Sequence, residues 1–365
     1  MNYTYLKRFV VGALSAMLMT VTLSGISVAQ DLSQVEWFKG VMNVKLTPEG
    51  KTALSVQKSA DQLLTGIPSL DLLTTEYGVR EMEQIFRTDP RFERRHKEYG
   101  LDRWYRIYFD SNAGDEYVAS LFNANPFIEK AERESKRYLI DAVEMRDVEN
   151  LLNFNDPQLG DQWHYNNTGQ TGGLPGADIN LFAAWTQTVG SQDIIVKVVD
   201  SGIDVNHPEL NESLWQNPNS GPGNGYDGDV HGWNFVTNTD DIQDENQHGS
   251  HTSGTIAARS NNGIGVAGVA GGDETGPGVQ IMVARTFSGP GDTPGGFPEA
   301  FVYGTDNGAV ISSNSWGGGA QSDVLDDAIA YFINEAGYDG DGNPVGPIQG
   351  GIAFFAAGNG GTSSP

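Results

Sequence analysis

One stretch of the chain, DIIVKVVDSGID at residues 193–204, decides the fold. Its isoleucines and valines do not alternate with polar residues, a pattern typical of a strand buried on both faces inside a parallel sheet covered by helices. The strand ends abruptly at Asp200, and open α/β sheets place ligands and catalytic groups at this edge. Because an unpaired carboxylate buried there would be costly, we expect Asp200 to have a partner.

The candidate partner is His248, which opens the stretch HGSHTSGTIAA at residues 248–258. The small residues of this stretch fit the start of a helix packed tightly against a neighbour. The two motifs, DSGID and then HGSHTSGTI, resemble the subtilisin-like serine proteases (subtilases), whose catalytic triad runs Asp, His, Ser along the chain. The alternative interpretation is a helix-capping aspartate and an unrelated helix histidine.

Strands and helices alternate in the part of the chain that follows Asp200. Such alternation implies right-handed crossovers and a doubly wound, mostly parallel α/β sheet with helices on both faces. The predicted strands are residues 279–285, 309–315 and 351–357, and the predicted helices are residues 252–258, 296–307 and 323–334. The resemblance implies the same architecture, with residues 151–365 as an incomplete, N-terminal part of a subtilisin-like peptidase domain.

Two further motifs resemble the family's active-site segments. Ser315, Trp316 and Gly317 close a predicted strand, and their backbone could pair with an extended peptide in the manner of the family's substrate-binding wall. The alternative is a plain strand end with a glycine turn. The stretch FFAAGNG at residues 354–360 is similar to the segment that supplies the oxyanion-hole asparagine, which would be Asn359; the alternative is a turn-capping residue.

The nucleophilic serine is the site residue for which the sequence offers no match. The family's motif, Gly-Thr-Ser-Met-Ala-x-Pro, shares three letters with GTSSP at residues 361–365, but Ser363 follows Asn359 too closely and no helix comes after it. Gly-x-Ser-x-Gly is absent as well. We therefore expect the sequence to be a fragment truncated before the catalytic serine, and inactive by itself. The alternatives are an inactive protease remnant and a non-catalytic, calcium-binding secreted module.

The first 29 residues have the pattern of a secretory signal peptide. Lys7 and Arg8 precede an apolar run from Phe9 to about Leu23, and small residues at 27–29 surround a plausible cleavage site. The apolar run is short for a membrane span. We expect an extracellular or periplasmic protein whose mature form has no membrane segment; the alternative is an uncleaved anchor.

Residues 30–150 are predicted to be a prosegment. Predicted strands at 41–46, 103–110 and 128–134 and a helix at 115–123 resemble the small α+β, ferredoxin-like prosegment that inhibits subtilases, assists their folding and is then removed. The protein's own prosegment is thus an expected partner, released by cleavage within residues 138–155. Residues 65–100 are interpreted as an added helical piece, in which residues 94–97, RRHK, form a solvated turn.

Charge separates the same two parts of the chain. Residues 1–150 hold 19 Lys and Arg against 22 Asp and Glu, a net charge of −3, whereas residues 151–365 hold 3 against 25, a net charge of −22. So acidic a region repels nucleic acid and anionic membranes and suits bound cations. The chain has no cysteine, which excludes disulfides, thiolate metal sites and the cysteine peptidases.

A loop at residues 259–268, RSNNGIGVAG, resembles the calcium loop that interrupts the family's histidine helix. Calcium takes six to eight oxygen ligands, which outward-turned carbonyls and carboxylates can supply. The resemblance implies the carbonyls of Arg259, Ile264 and Val266 and the side chains of Asn262 and Glu209 as ligands, with Asp156 as a further candidate. The alternative is an unligated surface loop. The acidic residues 240–245 could form a second site, but they are interpreted as a solvated loop.

The resemblance implies acyl transfer by a secreted serine endopeptidase that is made as a zymogen and hydrolyses proteins and peptides. Asp200 would orient His248 and stabilise its imidazolium, His248 would take a proton from the serine, and Asn359 would bind the oxyanion.

Overall fold

The computed structural model describes five ranges of the chain: residues 35–58, 63–87, 89–139, 154–288 and 296–359. The chain divides into two units, Met1–Gln34 and Val35–Pro365, and all described residues belong to the second. The predicted signal peptide, most of the predicted cleavage region and Ser363 lie outside these ranges. Within them, no helix combines the length and apolar character needed to cross a bilayer.

The part before residue 140 contains a four-stranded antiparallel sheet with strand order β4-β5-β1-β6. Its apolar core joins residues of β1 and β5 to the helices that cover one face of the sheet. The strands and helix predicted at 41–46, 103–110, 115–123 and 128–134 are confirmed. The elements are β1 (Trp37–Leu46), α1 (Pro48–Ala53), β2 (Gln57–Lys58), β3 (Leu63–Leu64), α2 (Pro68–Glu76), β4 (Glu81–Gln84), α3 (Glu93–Glu98), β5 (Trp104–Tyr108), α4 (Asp115–Asn123), β6 (Ile128–Ser135) and β7 (Tyr138–Leu139).

Residues 65–100 are only partly helical. Helices α2 and α3 agree with the prediction, but β4 between them is a strand that pairs antiparallel with the edge of β5, with Glu81 opposite Tyr108. The sequence EMEQ has no strand-like alternation of its own, and the strand forms because β5 offers an open edge.

The second part is built on a five-stranded parallel sheet with strand order β13-β11-β8-β10-β9. Val196 and Val198 of the central strand β8 belong to the apolar cluster on the side of α6, and Val199 belongs to the cluster on the side of α7 and α8. The predicted burial on both faces and the doubly wound α/β architecture are confirmed. The elements are α5 (Leu181–Trp185), β8 (Ile195–Asp200), β9 (Gly232–Asn234), α6 (His248–Ala257), β10 (Gln280–Arg285), α7 (Phe297–Asp306), β11 (Ile311–Asn314), β12 (Trp316–Gly317), α8 (Asp323–Glu335) and β13 (Ile352–Phe355).

Strand β8 also buries a lysine. Lys197 is 0% exposed, its Nζ donates to the carbonyl of Ala300 at 3.1 Å, and the ammonium lies 3.7 Å from the centre of the Phe301 ring. Burial holds the pKa of Lys197 well below its usual value, since nothing in this apolar setting favours the charged form as much as water does. Helix α7 can approach β8 closely here because residue 304 is a glycine. A Cβ at this position would lie 2.5 Å from Lys197 Cδ. The close packing of the lysine side chain therefore holds α7 against β8.

The other face of the antiparallel sheet packs on helices α7 and α8. Trp104 Nε1 donates to Asp327 at 3.0 Å, Lys45 Nζ lies 2.6 Å from the same carboxylate, and Arg106 lies 3.2 Å from Glu299. Tyr105, Ile107 and Phe109 point into the sheet's own core. The two faces of β5 thus serve two different cores.

Glu132 of β6 meets the beginning of α8. One carboxylate oxygen accepts the N–H of Asp323 at 2.8 Å and the other accepts the hydroxyl of Ser322 at 2.8 Å. Burial raises the pKa of Glu132, although these donors, together with the positive end of the helix dipole, oppose the change. The antiparallel sheet therefore caps α8 as well as packing on it.

Candidate active site

Asp200 and His248 lie side by side at the carboxyl edge of the parallel sheet. Asp200 ends β8 and His248 begins α6. His248 Nδ1 is 2.8 Å from Asp200 Oδ1, and both side chains are buried. The N–H of Ser201 and the hydroxyl of Thr252 also donate to the carboxylate, at 2.7 and 3.1 Å. A carboxylate at Nδ1 selects the tautomer in which Nε2 accepts a proton, which is the arrangement of a general base.

The spacing between the two side chains depends on a close backbone approach. A Cβ at Gly249 would lie 2.1 Å from the carbonyl oxygen of Gly202, a distance that no side chain can occupy. The N–H of Gly249 also donates to Ser201 Oγ at 2.9 Å. Glycine at position 249 therefore lets the first turn of α6 rest on the loop that follows β8.

Asp244 joins the two motif loops, a role that the sequence analysis missed. One of its oxygens accepts the hydroxyl of Ser201 at 2.9 Å, and the other accepts the N–H and hydroxyl of Ser250 at 2.8 and 2.7 Å. Burial alone would raise the pKa of Asp244, but these hydrogen bonds outweigh it and lower the pKa. The interpretation of residues 240–245 as a solvated loop is wrong for this residue. The available signal was the serine within each motif, Ser201 in DSGID and Ser250 in HGSHTSGTI.

Strand β12 at Trp316 and Gly317 pairs with the first two residues of the predicted cleavage region. Trp316 pairs with Leu139 and Gly317 with Tyr138, antiparallel. Trp316 is buried, with its ring centre 4.5 Å from that of Phe297. Ser315, half-buried, separates β11 from β12. The backbone edge that the sequence assigned to substrate thus carries an added strand from the chain itself.

Asn359 lies exposed beyond the end of β13. Strand β13 runs parallel to β11, with Phe355 opposite Asn314, and β11 runs parallel to β8, with Asn314 opposite Val199. The loop after β13 therefore emerges at the same edge of the sheet as Asp200. The structure brings Asn359 to this edge.

The loop proposed to bind calcium closes over two buried carboxylates. Asp156 accepts the backbone N–H groups of Asn261 and Asn262 at 2.8 and 3.2 Å. Glu209 accepts Asn262 Nδ2 at 3.0 Å and the N–H of Val266 at 2.9 Å. Burial raises the pKa of Glu209, and the nearby charge of Asp156 raises it further. Two buried acids that repel each other form a setting that a cation would stabilise.

The remaining predicted calcium ligands lie in the same loop. The N–H of Ile264, an exposed residue, donates to Asn262 Oδ1 at 3.0 Å. The N–H of Arg259 donates to the carbonyl of Glu209 at 2.8 Å, and its guanidinium lies 3.2 Å from Glu212. In the described part of the chain, no three His, Asp or Glu side chains converge to hold a metal. A cation here would depend on carbonyl and amide oxygens besides Asp156 and Glu209.

A separate cavity of about 710 Å³ is lined by His164, His207 and His251. It opens on a different face of α6 from the one that carries His248 and Thr252. Burial and, less strongly, the charge of His251 lower the pKa of His164. The cavity is therefore distinct from the pair formed by Asp200 and His248.

Residues 191–365 match the sequence profile of the subtilase family. The chain is 28% identical over 252 residues to a thermophilic serine proteinase of Bacillus sp. (strain AK1), covering 68% of this chain and 48% of the relative. It is 31% identical over 183 residues to thermitase of Thermoactinomyces vulgaris, covering 50% of this chain and 53% of the relative. The chain thus spans about half the length of these two relatives.

Among solved structures, fervidolysin from Fervidobacterium pennivorans is similar in fold. The TM-score is 0.50 at 20% identity, and the alignment covers 89% of this chain and 40% of fervidolysin. The fold expected from the DSGID and HGSHTSGTI motifs is confirmed.

Proposed function

Because residues 191–365 of this chain belong to the subtilase family, we propose that the protein is a secreted serine endopeptidase, made as a zymogen, that hydrolyses peptide bonds of proteins through an Asp-His-Ser triad. The observation that carries the proposal is the buried contact of 2.8 Å between His248 Nδ1 and Asp200 Oδ1 at the carboxyl edge of the sheet. The signal-like pattern of residues 1–29 supports export.

In the proposed mechanism, His248 Nε2 takes the proton of the serine hydroxyl as its oxygen attacks the scissile carbonyl carbon. Asp200 stabilises the imidazolium that results. The C–N bond then breaks as His248 gives the proton to the leaving amine, and water hydrolyses the acyl-enzyme in a second round of the same proton transfers. No motif of the sequence supplies the serine of the triad, and the tests use the product of the native gene.

Asn359 is the proposed oxyanion donor. A side-chain amide aimed at the carbonyl oxygen stabilises the negative charge that develops there, and loss of such a donor in subtilisin raises the barrier by about 2.7–4 kcal/mol. Its position beyond β13, at the edge that holds Asp200, supports this role.

The zymogen proposal is supported by the strand that Tyr138 and Leu139 add to β12. A substrate bound as an extended strand would need the same backbone edge of Trp316 and Gly317. Residues 37–139 also cover α7 and α8 through Trp104, Lys45 and Arg106. The N-terminal part would therefore exclude substrate until the chain is cut and β7 leaves.

One experiment tests both halves of the proposal. The secreted product of the native gene is treated with a fluorophosphonate probe, which labels activated serines, and the labelled band is sequenced from its N-terminus. We expect a labelled chain that begins between about Tyr138 and Asp156, and no label after heat denaturation. An unlabelled product would contradict the proposed serine peptidase activity. A fully active chain that starts near Gln30 would contradict the zymogen.

Calcium is proposed as a structural ion of residues 151–365, which we call the peptidase part. It would be held by Asp156, Glu209, Asn262 and carbonyls of residues 259–266. The support is the pair of buried, mutually repelling carboxylates beside a loop rich in backbone oxygens. The ion would neutralise this charge and tie the segment at Asp156 to the end of α6. It would have no part in the acyl transfer.

Calcium is therefore expected to raise the melting temperature of the mature enzyme, and a chelator to lower it. An ion that binds only the folded state adds about 2.7 kcal/mol at a hundredfold excess over its Kd. The substitution Glu209→Gln should abolish most of this shift. The matched control is Glu212→Gln, which changes an exposed acid paired with Arg259. Equal melting temperatures with calcium and with chelator would contradict the site.

A further inference from the structure

Residues 85–87 and 89–99, which we call the hook, run from β4 to the end of α3. Residues 94–97 were predicted to be a solvated turn, but they lie in α3, and only Arg94 and Lys97 are solvated. Arg95 and His96 are each 1% exposed. The misinterpretation has a physical cause. The groups that bury these side chains belong to α7, α8 and the loop after α8, and they lie more than two hundred residues later in the chain.

All the hydrogen-bond acceptors of Arg95 in the described structure belong to the peptidase part, although its guanidinium also lies 5.0 Å from the centre of the Phe92 ring within the hook. Its Nε and Nη2 donate to the hydroxyl of Tyr331 at 3.1 and 2.8 Å, and its Nη1 donates to the carbonyls of Tyr338 and Asp339 at 3.0 and 2.8 Å. The guanidinium also lies 3.5 Å from the carboxylate of Asp306. These acceptors form a closed receptor for one planar cation.

His96 completes the receptor from the next position. Its Nε2 lies 2.8 Å from the second oxygen of Asp306, and the hydroxyl of Tyr331 donates to the first oxygen at 2.6 Å. Asp306, 9% exposed at its side chain, is therefore satisfied chiefly by the hook and by a tyrosine that the hook itself contacts. Removal of the hook would leave this carboxylate without most of its partners.

The start of the hook makes a second contact, in an aromatic cleft. Phe86, 1% exposed, lies in the same apolar cluster as Tyr226 and Trp233 of the peptidase part. The guanidinium of Arg87 lies 4.8 Å from the centre of the Tyr226 ring and 5.6 Å from that of Trp233, and it donates to the carbonyl of Gly225. Cation–π contacts of this kind add to the burial of Phe86.

The Arg95 end of the hook and β7 lie at opposite edges of the parallel sheet. Asp306 ends α7 and lines a cavity together with Asp193 and Ile195, where β8 begins. Trp316, which pairs with β7, lies beyond the carboxyl end of β11, at the edge that holds Asp200. A segment bound at Asp306 therefore does not obstruct the substrate edge.

We propose that the hook is an independent docking element, and that the receptor formed by Asp306, Tyr331 and the carbonyls of residues 338–339 is a binding site for an arginine-bearing peptide segment whose occupant is the hook. The N-terminal part then stays bound after the chain is cut, even when β7 has left β12. The proposal rests on the proposed function only in assuming that a cut occurs. Release of the N-terminal part requires loss of the Arg95 contacts.

The test makes the cut independent of the protein's own activity. A recognition sequence for a specific protease replaces residues 140–153 of the full chain, the purified protein is cut there, and the Kd of the two pieces is measured. We expect the pieces to co-elute at nanomolar concentration. Arg95→Ala should raise the Kd by about 100-fold or more, because it leaves Asp306 without its cationic partner.

The matched control is Lys97→Ala, which removes the same charge from the same helix. Lys97 is exposed and its Nζ pairs with Glu93 within α3, at 2.6 Å, so its loss should change the Kd by less than about fivefold. Pieces that separate in the unaltered protein would overturn the proposal. Equal Kd values for Arg95→Ala and Lys97→Ala would also overturn it.

A second variant acts from the other side of the contact. Tyr331→Phe removes the hydroxyl that accepts two hydrogen bonds from Arg95. With the unaltered hook it should raise the Kd by about tenfold. In a chain that already carries Arg95→Ala it should change the Kd little further. This variant carries the test if Arg95→Ala fails to fold. If the losses of binding free energy from Arg95→Ala and Tyr331→Phe simply added in the double variant, the proposed receptor would be contradicted. If the proposed peptidase activity were wrong, fluorophosphonate labelling would be absent, whereas these Kd values could still be measured.

Discussion

Asparagine in place of Asp200 is expected to lower kcat by about 10⁴-fold, the effect of this substitution in a serine-protease triad. The carboxylate accepts a hydrogen bond from His248 Nδ1 at 2.8 Å, whereas an amide in its place can present N–H groups to that nitrogen. The ring then carries its proton on Nε2 and cannot accept one from the serine. The measurement is kcat on a chromogenic peptide with the product of the native gene. A variant that cannot cut itself should also be secreted with its N-terminal part still attached.

The matched control for this substitution is Asp204→Asn, in the same DSGID motif. Asp204 accepts the N–H of Asn206 at 3.0 Å in a turn and has no hydrogen bond to His248 in the described structure. Its substitution should leave kcat within about threefold, because a turn-capping carboxylate and an amide form similar hydrogen bonds. Equal activities for the unaltered enzyme and Asp200→Asn would show that the pair does not act as a triad.

Alanine at Gly249 is expected to destabilise the protein and to impair catalysis at the same time. The added methyl group would lie 2.1 Å from the carbonyl oxygen of Gly202, so α6 must move away from β8. Overpacking of this kind costs about 1–3 kcal/mol of unfolding free energy. Because His248 is the preceding residue, a shift of about 1 Å would also lower kcat by about 100-fold. Denaturant unfolding and kcat are measured on the same preparation.

Gly254→Ala provides the matched control on the same helix. Apart from the adjacent residues and the backbone of α6 itself, no atom lies within 4 Å of the position that its Cβ would take. Since alanine favours a helix over glycine by about 0.5–1 kcal/mol, this variant should be as stable as the unaltered protein or slightly more so, with kcat unchanged. If Gly249→Ala behaved like Gly254→Ala, the spacing of Asp200 and His248 would not depend on this backbone contact.

The central strand, the candidate residues at its edge and the order of the elements around them were predictable from the sequence. The branched residues at 194–196 and 198–199 have no polar alternation and can be buried on both faces only between two layers of helices, so they predict the parallel sheet. Asp200 and His248 were identified because their motifs are local, each occupying a few adjacent positions. The strands at 41–46, 103–110 and 128–134 and the helix at 115–123 were predictable for the same reason, since alternation and helical spacing are properties of neighbouring residues.

The tertiary structure alone decided how distant polar groups meet. In the sequence, residues 94–97 have the pattern of a solvated run of charges. Only the fold places Asp306 and Tyr331 beside Arg95. The same is true of Asp244, whose partners Ser201 and Ser250 lie within separate motifs. A charged side chain has no periodic pattern that tells whether it is paired or solvated, because its burial depends on acceptors supplied by another part of the chain. Hydrophobic periodicity is a property of adjacent residues, whereas the satisfaction of a buried charge is a property of the assembled fold.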